Sequence, residues 1–191
     1  MNKSHINYLH TMLSSKMMFN EPMSKHSTFG IGGNANCFIF PNDKNELSII
    51  LKYAQKENIE LCFIGSGSNI LVWDKGFDGI IISLNKTFKK FKITKNLKII
   101  AESGVMLGTM VKKAISSNII GLESLIGVPG TLGGALIMNA GAYGSEISNY
   151  FIEAKTMEFN GKIKTYKKSD IIFSYRHSNF PKNEILIEAS F

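Results

Sequence analysis

Apolar and polar positions alternate, cluster and break along this chain in a way that predicts mixed secondary structure. Residues 1–20 are polar and mixed, and are expected to form a helical lead-in. An apolar run at Ala35–Phe40 predicts a strand, which Pro41-Asn42-Asp43 ends. Leu47, Ile50, Leu51 and Ala54 then recur at helical spacing. Asp43 with Glu46 three residues later has the form of a capping box at the start of that helix. Strands are expected at Leu61–Ile64, Ile70–Trp73 and Gly79–Leu84, with Gly65-Ser66-Gly67-Ser68-Asn69 as the loop after the first. A lysine-rich connector, Lys86–Lys95, separates these from a strand at Leu97–Glu102 and a helix from Met106 to Ser117. Thr131 is placed to cap a short helix running through Met138. Residues 151–167 alternate around Asn160-Gly161, a two-residue hairpin signal, and Ile185–Ala189 closes the chain as a strand. The pattern therefore predicts a lead-in over 1–20, an α/β subdomain over 21–85 and an α+β subdomain over 86–191.

One stretch does not fit ordinary element chemistry. Residues 121–144, GLESLIGVPGTLGGALIMNAGAYG, carry seven glycines, at 121, 127, 130, 133, 134, 141 and 144. Glycine in a regular element costs roughly 0.5–1 kcal/mol relative to alanine. Leu122, Leu125, Ile126, Val128, Leu132, Leu136 and Ile137 make the run too apolar for a flexible linker. Buried bare backbone serves either a large flat ligand or the close packing of one element on another, and both readings stand. Gly65-Ser66-Gly67-Ser68-Asn69 adds a second bare segment, whose successive amides suit an anion-binding nest or a plain structural turn. Gly30-Ile31-Gly32-Gly33 is a third. Three such segments beside apolar elements fit one long ligand with an anionic centre and a flat apolar end, the shape of a flavin dinucleotide.

Composition narrows the alternatives. The 191 residues carry a net charge of +7, but that charge comes from lysines with a single arginine, Arg176. Base readout and bidentate phosphate recognition favour the guanidinium fork, so no nucleic-acid partner is expected. Cys37 and Cys62 sit in apolar, strand-like contexts and are expected as buried free thiols in a cytoplasmic protein. The four histidines and two cysteines form no metal-ligand spacing. No apolar stretch is long enough to span a membrane, and nothing in the lysine distribution names a protein partner.

The glycine run is similar to the flavin-site segment of the UDP-N-acetylenolpyruvoylglucosamine reductase family. FIGSGSNILVWDKGFDGIII resembles that family's pyrophosphate loop, STFGIGGNA its N-terminal signature and FSYRHSNF its arginine motif. The four follow in the family's order across residues 27–180. Gly30, Ser66 and Ser124 depart from the residues usual there. The resemblance implies an α+β fold, the FAD-binding domain of the vanillyl-alcohol-oxidase (PCMH) type built from two α/β subdomains. It implies FAD as cofactor, NADPH as hydride donor and a UDP-sugar as substrate, in peptidoglycan precursor synthesis. It assigns the pyrophosphate to Gly65, Ser66, Gly67, Ser68 and Asn69. It assigns the flavin wall to Val128, Pro129, Gly133, Gly134, Ile137 and Gly141. Arg176 matches the catalytic arginine of the family, and Tyr175 is a candidate for lining the substrate site. A lone arginine among so many lysines independently marks a position that needs guanidinium geometry.

The family continues into a substrate-binding domain that supplies a proton-donating serine and an assisting glutamate. That domain is expected to be absent from this chain, and turnover by the 191 residues alone is expected to be very slow. A non-catalytic or degenerate FAD-binding module, or another flavin oxidoreductase of the same fold, is the alternative reading.

Overall fold

The structure, a computed structural model, describes residues 3–191, so the first two residues of the expected lead-in lie outside the described residues. The chain forms two compact units. One runs through Thr87 and adds Phe159–Lys162; the other comprises Phe88–Glu158 and Ile163–Phe191.

The first unit contains α1 (Lys3–Met12), β1 (Lys16–Pro22), β2 (Asn34–Phe40), α2 (Lys44–Lys56), β3 (Glu60–Ile64) and β4 (Phe77–Ser83). Its sheet runs β1-β2-β4-β3, with β4 parallel to both neighbours and β1 antiparallel to β2. The crossover helix α2 forms as expected. Leu47, Ile50, Leu51 and Ala54 are buried, each large apolar side chain contributing about 1.5–3 kcal/mol. Asp43 caps α2 by accepting from the Asn45 and Glu46 amides. The capping box is only half formed, because the Glu46 carboxylate turns instead to the Ser14 amide and hydroxyl and to the Asn42 amide. Glu46 thereby ties the chain after α1 to the start of α2. On one face of the sheet Met23, Ala35, Phe38, Phe40, Ile64 and Ile81 make a core.

Two expectations fail in this unit. Lys16–Pro22 is a strand, not the tail of a helical lead-in. It is an edge strand that is nowhere fully buried, so it lacks the alternation that would announce it, and its pairing with β2 decides its state. Ile70–Trp73 is loop, not strand. β4 occupies the place beside β3, and Leu71 and Trp73 are largely exposed. The Trp73 carbonyl accepts from the Gly33 and Gly76 amides instead of from a ladder.

The second unit contains β5 (Phe91–Ile93), β6 (Ile99–Glu102), α3 (Leu107–Ser116), α4 (Leu132–Ile137), β7 (Gly141–Ala142), β8 (Ser145–Glu146), β9 (Glu153–Glu158), β10 (Ile163–Lys167), β11 (Phe173–Ser174), β12 (His177–Ser178) and β13 (Glu184–Ser190). Five strands form an antiparallel sheet, β10-β9-β13-β6-β5. Leu107, Met110, Val111 and Ala114 of α3 join Leu132, Ala135 and Leu136 of α4 in its core. The lysine-rich connector holds a strand, β5, that the charge pattern hid. The expected strand at Leu97 starts at Ile99, since Leu97 takes φ +59° in the β5–β6 turn. β9 and β10 pair as the hairpin expected, but with Met157 opposite Ile163 as the last pair, so the turn is longer than two residues. The Asn160 side chain accepts from the Lys162 amide, and Gly161 takes φ +83°.

Candidate functional site

In the first unit the Gly65–Asn69 loop leaves the end of β3, and Ser83 Oγ donates to the Gly65 carbonyl at 3.0 Å. Gly67 takes φ +77°, and its carbonyl accepts from the Thr28 amide at 2.9 Å. A Cβ on Gly67 would lie 1.8 Å from the His26 carbonyl oxygen, and one on Gly33 would lie 2.1 Å from that of Asp74. These glycines therefore answer to the close approach of two loops, the packing alternative raised by the sequence. Among the described residues, the amides of Ser66, Gly67 and Asn69 have no protein acceptor. Beside the loop lies an apolar cleft of about 260 Å³. Cys62, Ile64, Val72, Phe77 and Ile81 line it. The sequence hid this cleft because its wall at 70–73 reads as strand. Cys37 is buried, and burial pushes its thiol up to about 12, so it stays protonated. Cys62 is half-buried and its thiol is also pushed up, by burial first and by the Glu60 charge second.

The second unit holds the glycine run. Thr131 Oγ1 accepts from the Gly134 amide at 3.4 Å and caps α4 as expected. Leu132, Ala135 and Leu136 point into the core, which leaves Gly133, Gly134 and Ile137 on the opposite face at i, i+1 and i+4 spacing. Ile126, Gly127 and Pro129 are exposed, and Val128 is half-buried. The glycines here divide by cause. A Cβ on Gly133 would meet Ser103 Cβ at 3.0 Å, and one on Gly141 would meet the Ser145 carbonyl oxygen at 2.5 Å. A Cβ on Gly127 would meet nothing, and one on Gly134 only Thr131 Oγ1 at 3.6 Å. Neither of these two has left-handed backbone. Among the described residues nothing requires their lack of a side chain.

Tyr175 and Arg176 form the tip of the β11–β12 hairpin, after the Ser174–His177 pair. Arg176 takes φ +55°. Its Nη1 donates to the Gly141 carbonyl at 3.3 Å, and its guanidinium lies 5.3 Å from the Tyr175 ring centre. Both side chains are exposed, as is His177. Ser178 Oγ donates to the Ile137 carbonyl at 2.8 Å, which seats the hairpin on the end of α4. A groove of about 330 Å³ runs past Gly141, Ala142, Ser145, Glu146, Tyr175 and Arg176. The second unit thus brings together Ile137, Gly141, Tyr175 and Arg176, while Gly65 to Asn69 belong to the first. Asn139, just past α4, is fully buried within the second unit, where its Nδ2 donates to the Ser174 carbonyl of the hairpin. Among the described residues no group of His, Cys, Asp and Glu side chains could hold a metal ion, and no helix is long and apolar enough to cross a membrane.

Residues 35–167 match the model of a protein family described as "FAD binding domain". The chain is 42% identical over 180 residues to the UDP-N-acetylenolpyruvoylglucosamine reductase of Caldicellulosiruptor saccharolyticus, covering 94% of this chain and 57% of that protein. It is 39% identical to UDP-N-acetylenolpyruvoylglucosamine reductase 2 of Bacillus cereus, covering 96% and 60% respectively. The chain therefore spans somewhat under two thirds of the length of these curated relatives. Among solved structures, it superimposes on the UDP-N-acetylenolpyruvylglucosamine reductase of Thermus caldophilus with a TM-score of 0.77 at 24% identity, over 93% of this chain and 61% of that one. The wild-type BBE-like 1 protein of Physcomitrella patens gives a TM-score of 0.70 at 14% identity, over 97% of this chain and 43% of that one. At these identities the two structures speak to the shared fold alone.

Proposed function

The chain belongs to the FAD binding domain family, and from that premise we propose that it is the flavin-holding portion of a UDP-N-acetylenolpyruvoylglucosamine reductase. In that role it serves the cytoplasmic synthesis of peptidoglycan precursors. The observation that carries the reading is the pair of glycines, Gly127 and Gly134: a Cβ would meet nothing at the first and only Thr131 Oγ1, at an ordinary 3.6 Å, at the second. Gly134, inside α4, forgoes stability that alanine would supply, by roughly 0.5–1 kcal/mol. A flat ring lying on that face accounts for the sacrifice, and the reductase relatives name the chemistry.

Val128, Pro129, Gly133, Gly134, Ile137 and Gly141 would wall the flavin ring. Gly65, Ser66, Gly67, Ser68 and Asn69 would hold the pyrophosphate, with the amides of Ser66, Gly67 and Asn69 as donors that lack a protein acceptor. Bound FAD would supply hydride transfer from NADPH to the enolpyruvyl double bond of the UDP-sugar. Reduction of that bond gathers negative charge beside the substrate's own carboxylate. Arg176, at a hairpin tip and bonded to the Gly141 carbonyl, would be the cation that stabilises it. Tyr175 would line the same substrate site.

The test is a titration of the purified 191-residue chain with FAD, followed by flavin fluorescence and the visible spectrum. NADPH is then added without oxygen. The expected result is a yellow one-to-one complex that NADPH bleaches. Protein that stays colourless after FAD addition would overturn the reading in favour of a non-catalytic module.

A further inference from the structure

Arg176 is held in a conformation that an arginine does not choose. Its φ of +55° is left-handed, a region disfavoured for any residue with a Cβ. The hairpin that carries it has two residue pairs, too short a ladder to impose such a turn unaided. Two side-chain bonds tie the hairpin to the end of α4, Ser178 Oγ to the Ile137 carbonyl and Asn139 to the Ser174 carbonyl, and the second lies directly beside the tip. Asn139, at the end of α4, is fully buried and itself takes φ +41°. Its carboxamide uses every bonding direction that matters. One Nδ2 proton goes to the Ser174 carbonyl at 3.0 Å, the other to Glu146 Oε2 at 2.7 Å. Its Oδ1 accepts from the Ser148 amide at 3.4 Å. Ser174 is the residue immediately before the Tyr175–Arg176 tip.

We propose that Asn139 is the positioning residue for Arg176: its carboxamide fixes the hairpin tip so that the guanidinium stands at the Gly141 carbonyl. The position needs two donors and one acceptor from a single planar group. Aspartate offers no donor, and glutamine sets the group one methylene too far. Asparagine also tolerates the left-handed backbone required there. The proposal rests on the preceding reading for why the place of Arg176 matters, but not for its test, which needs no flavin.

Arg176 is the sole arginine of the sequence, so the full chain labelled with 15N-arginine gives one guanidinium Nε–H signal. Arginine-directed phenylglyoxal likewise has one target. In N139D a carboxylate faces the Ser174 carbonyl and Glu146 with no proton for either. The Arg176 signal should move toward its position in a free peptide, and phenylglyoxal should react at least about threefold faster. The double variant N139D/E146Q separates positioning from mere stability. The carboxamide introduced at position 146 can donate to the carboxylate introduced at position 139. This restores the link to β8 with donor and acceptor exchanged, while the Ser174 carbonyl still lacks a donor. Its melting temperature should recover toward wild type while the Arg176 signal stays displaced. An Arg176 signal unchanged in folded N139D, or one that returns with stability in the double variant, would overturn the proposal. If N139D does not fold, the folded double variant decides by the same signal. If neither folds, Asn139 is structural and the proposal fails. Colourless wild-type protein would count against the flavin reading and leave this result intact.

Discussion

Replacing Gly134 by alanine should raise the stability of the ligand-free chain and lower its affinity for FAD. The added Cβ would meet only Thr131 Oγ1 at 3.6 Å, an ordinary contact, on backbone that is not left-handed. Gly→Ala at such a position gains about 0.4–1 kcal/mol, chiefly by narrowing the unfolded ensemble. For a chain of this size that corresponds to a rise in Tm of about 1–4 °C. The measurement belongs on ligand-free protein, because a ligand bound to the native state adds stability of its own. On the ligand side, a methyl group forced into a close flavin contact costs about 1–3 kcal/mol, a Kd weakened about 5- to 150-fold. A differential scanning experiment without FAD and a fluorescence titration with it give the two signs. An unchanged Kd would show that the bare face of α4 is not the flavin wall. A lowered Tm would show that the glycine serves the fold. Gly133→Ala is the contrast: its Cβ would lie 3.0 Å from Ser103 Cβ and 3.3 Å from the Ser103 carbonyl oxygen. It should lose about 1–3 kcal/mol of stability without any ligand.

Gly67→Ala should destabilise the chain by about 2 kcal/mol or more, since it combines left-handed strain with a Cβ placed 1.8 Å from the His26 carbonyl oxygen. A urea midpoint within error of wild type would contradict the loop packing described. Glu46 predicts a pH dependence. Burial works against its charge, yet hydrogen bonds from the Asn42 and Ser14 amides and the Ser14 hydroxyl leave its carboxyl below the ordinary value of 4.5. A lowered folded value contributes stability that is complete above the unfolded one and lost as pH falls through the folded one. The gap in urea midpoint between wild type and Glu46→Gln should therefore close as pH drops below 4.5. A gap that is constant from neutral to strongly acid pH would refute the assignment.

Periodicity alone located α2, α3, β2, β4 and the caps at Asp43 and Thr131, because in each case the signal and its cause are local: an apolar stripe or a side-chain oxygen three residues from an amide. It failed at β1 and at 70–73 for one shared reason. β1 is half-buried and is a strand because β2 lies beside it. Ile70–Trp73 has strand composition, but its Trp73 carbonyl is taken by the Gly33 and Gly76 amides outside any ladder. β5 was hidden by lysines that suit an edge strand as well as a linker.

The candidate site divides along the same line. A glycine-rich run, a bare loop and a solitary arginine are visible in the order of residues, and their resemblance to a flavoenzyme family rests on that order alone. Which glycines yield to neighbouring backbone and which leave room for something else cannot be read there, because a missing Cβ looks alike in every case. It takes the packed chain to set Gly67 against His26 and Gly133 against Ser103 while leaving Gly127 and Gly134 open. The tie from Asn139 to the turn bearing Arg176 spans 35 residues of sequence between Asn139 and Ser174. Contacts at such separation leave no periodic trace, since they arise only when distant segments have been brought side by side.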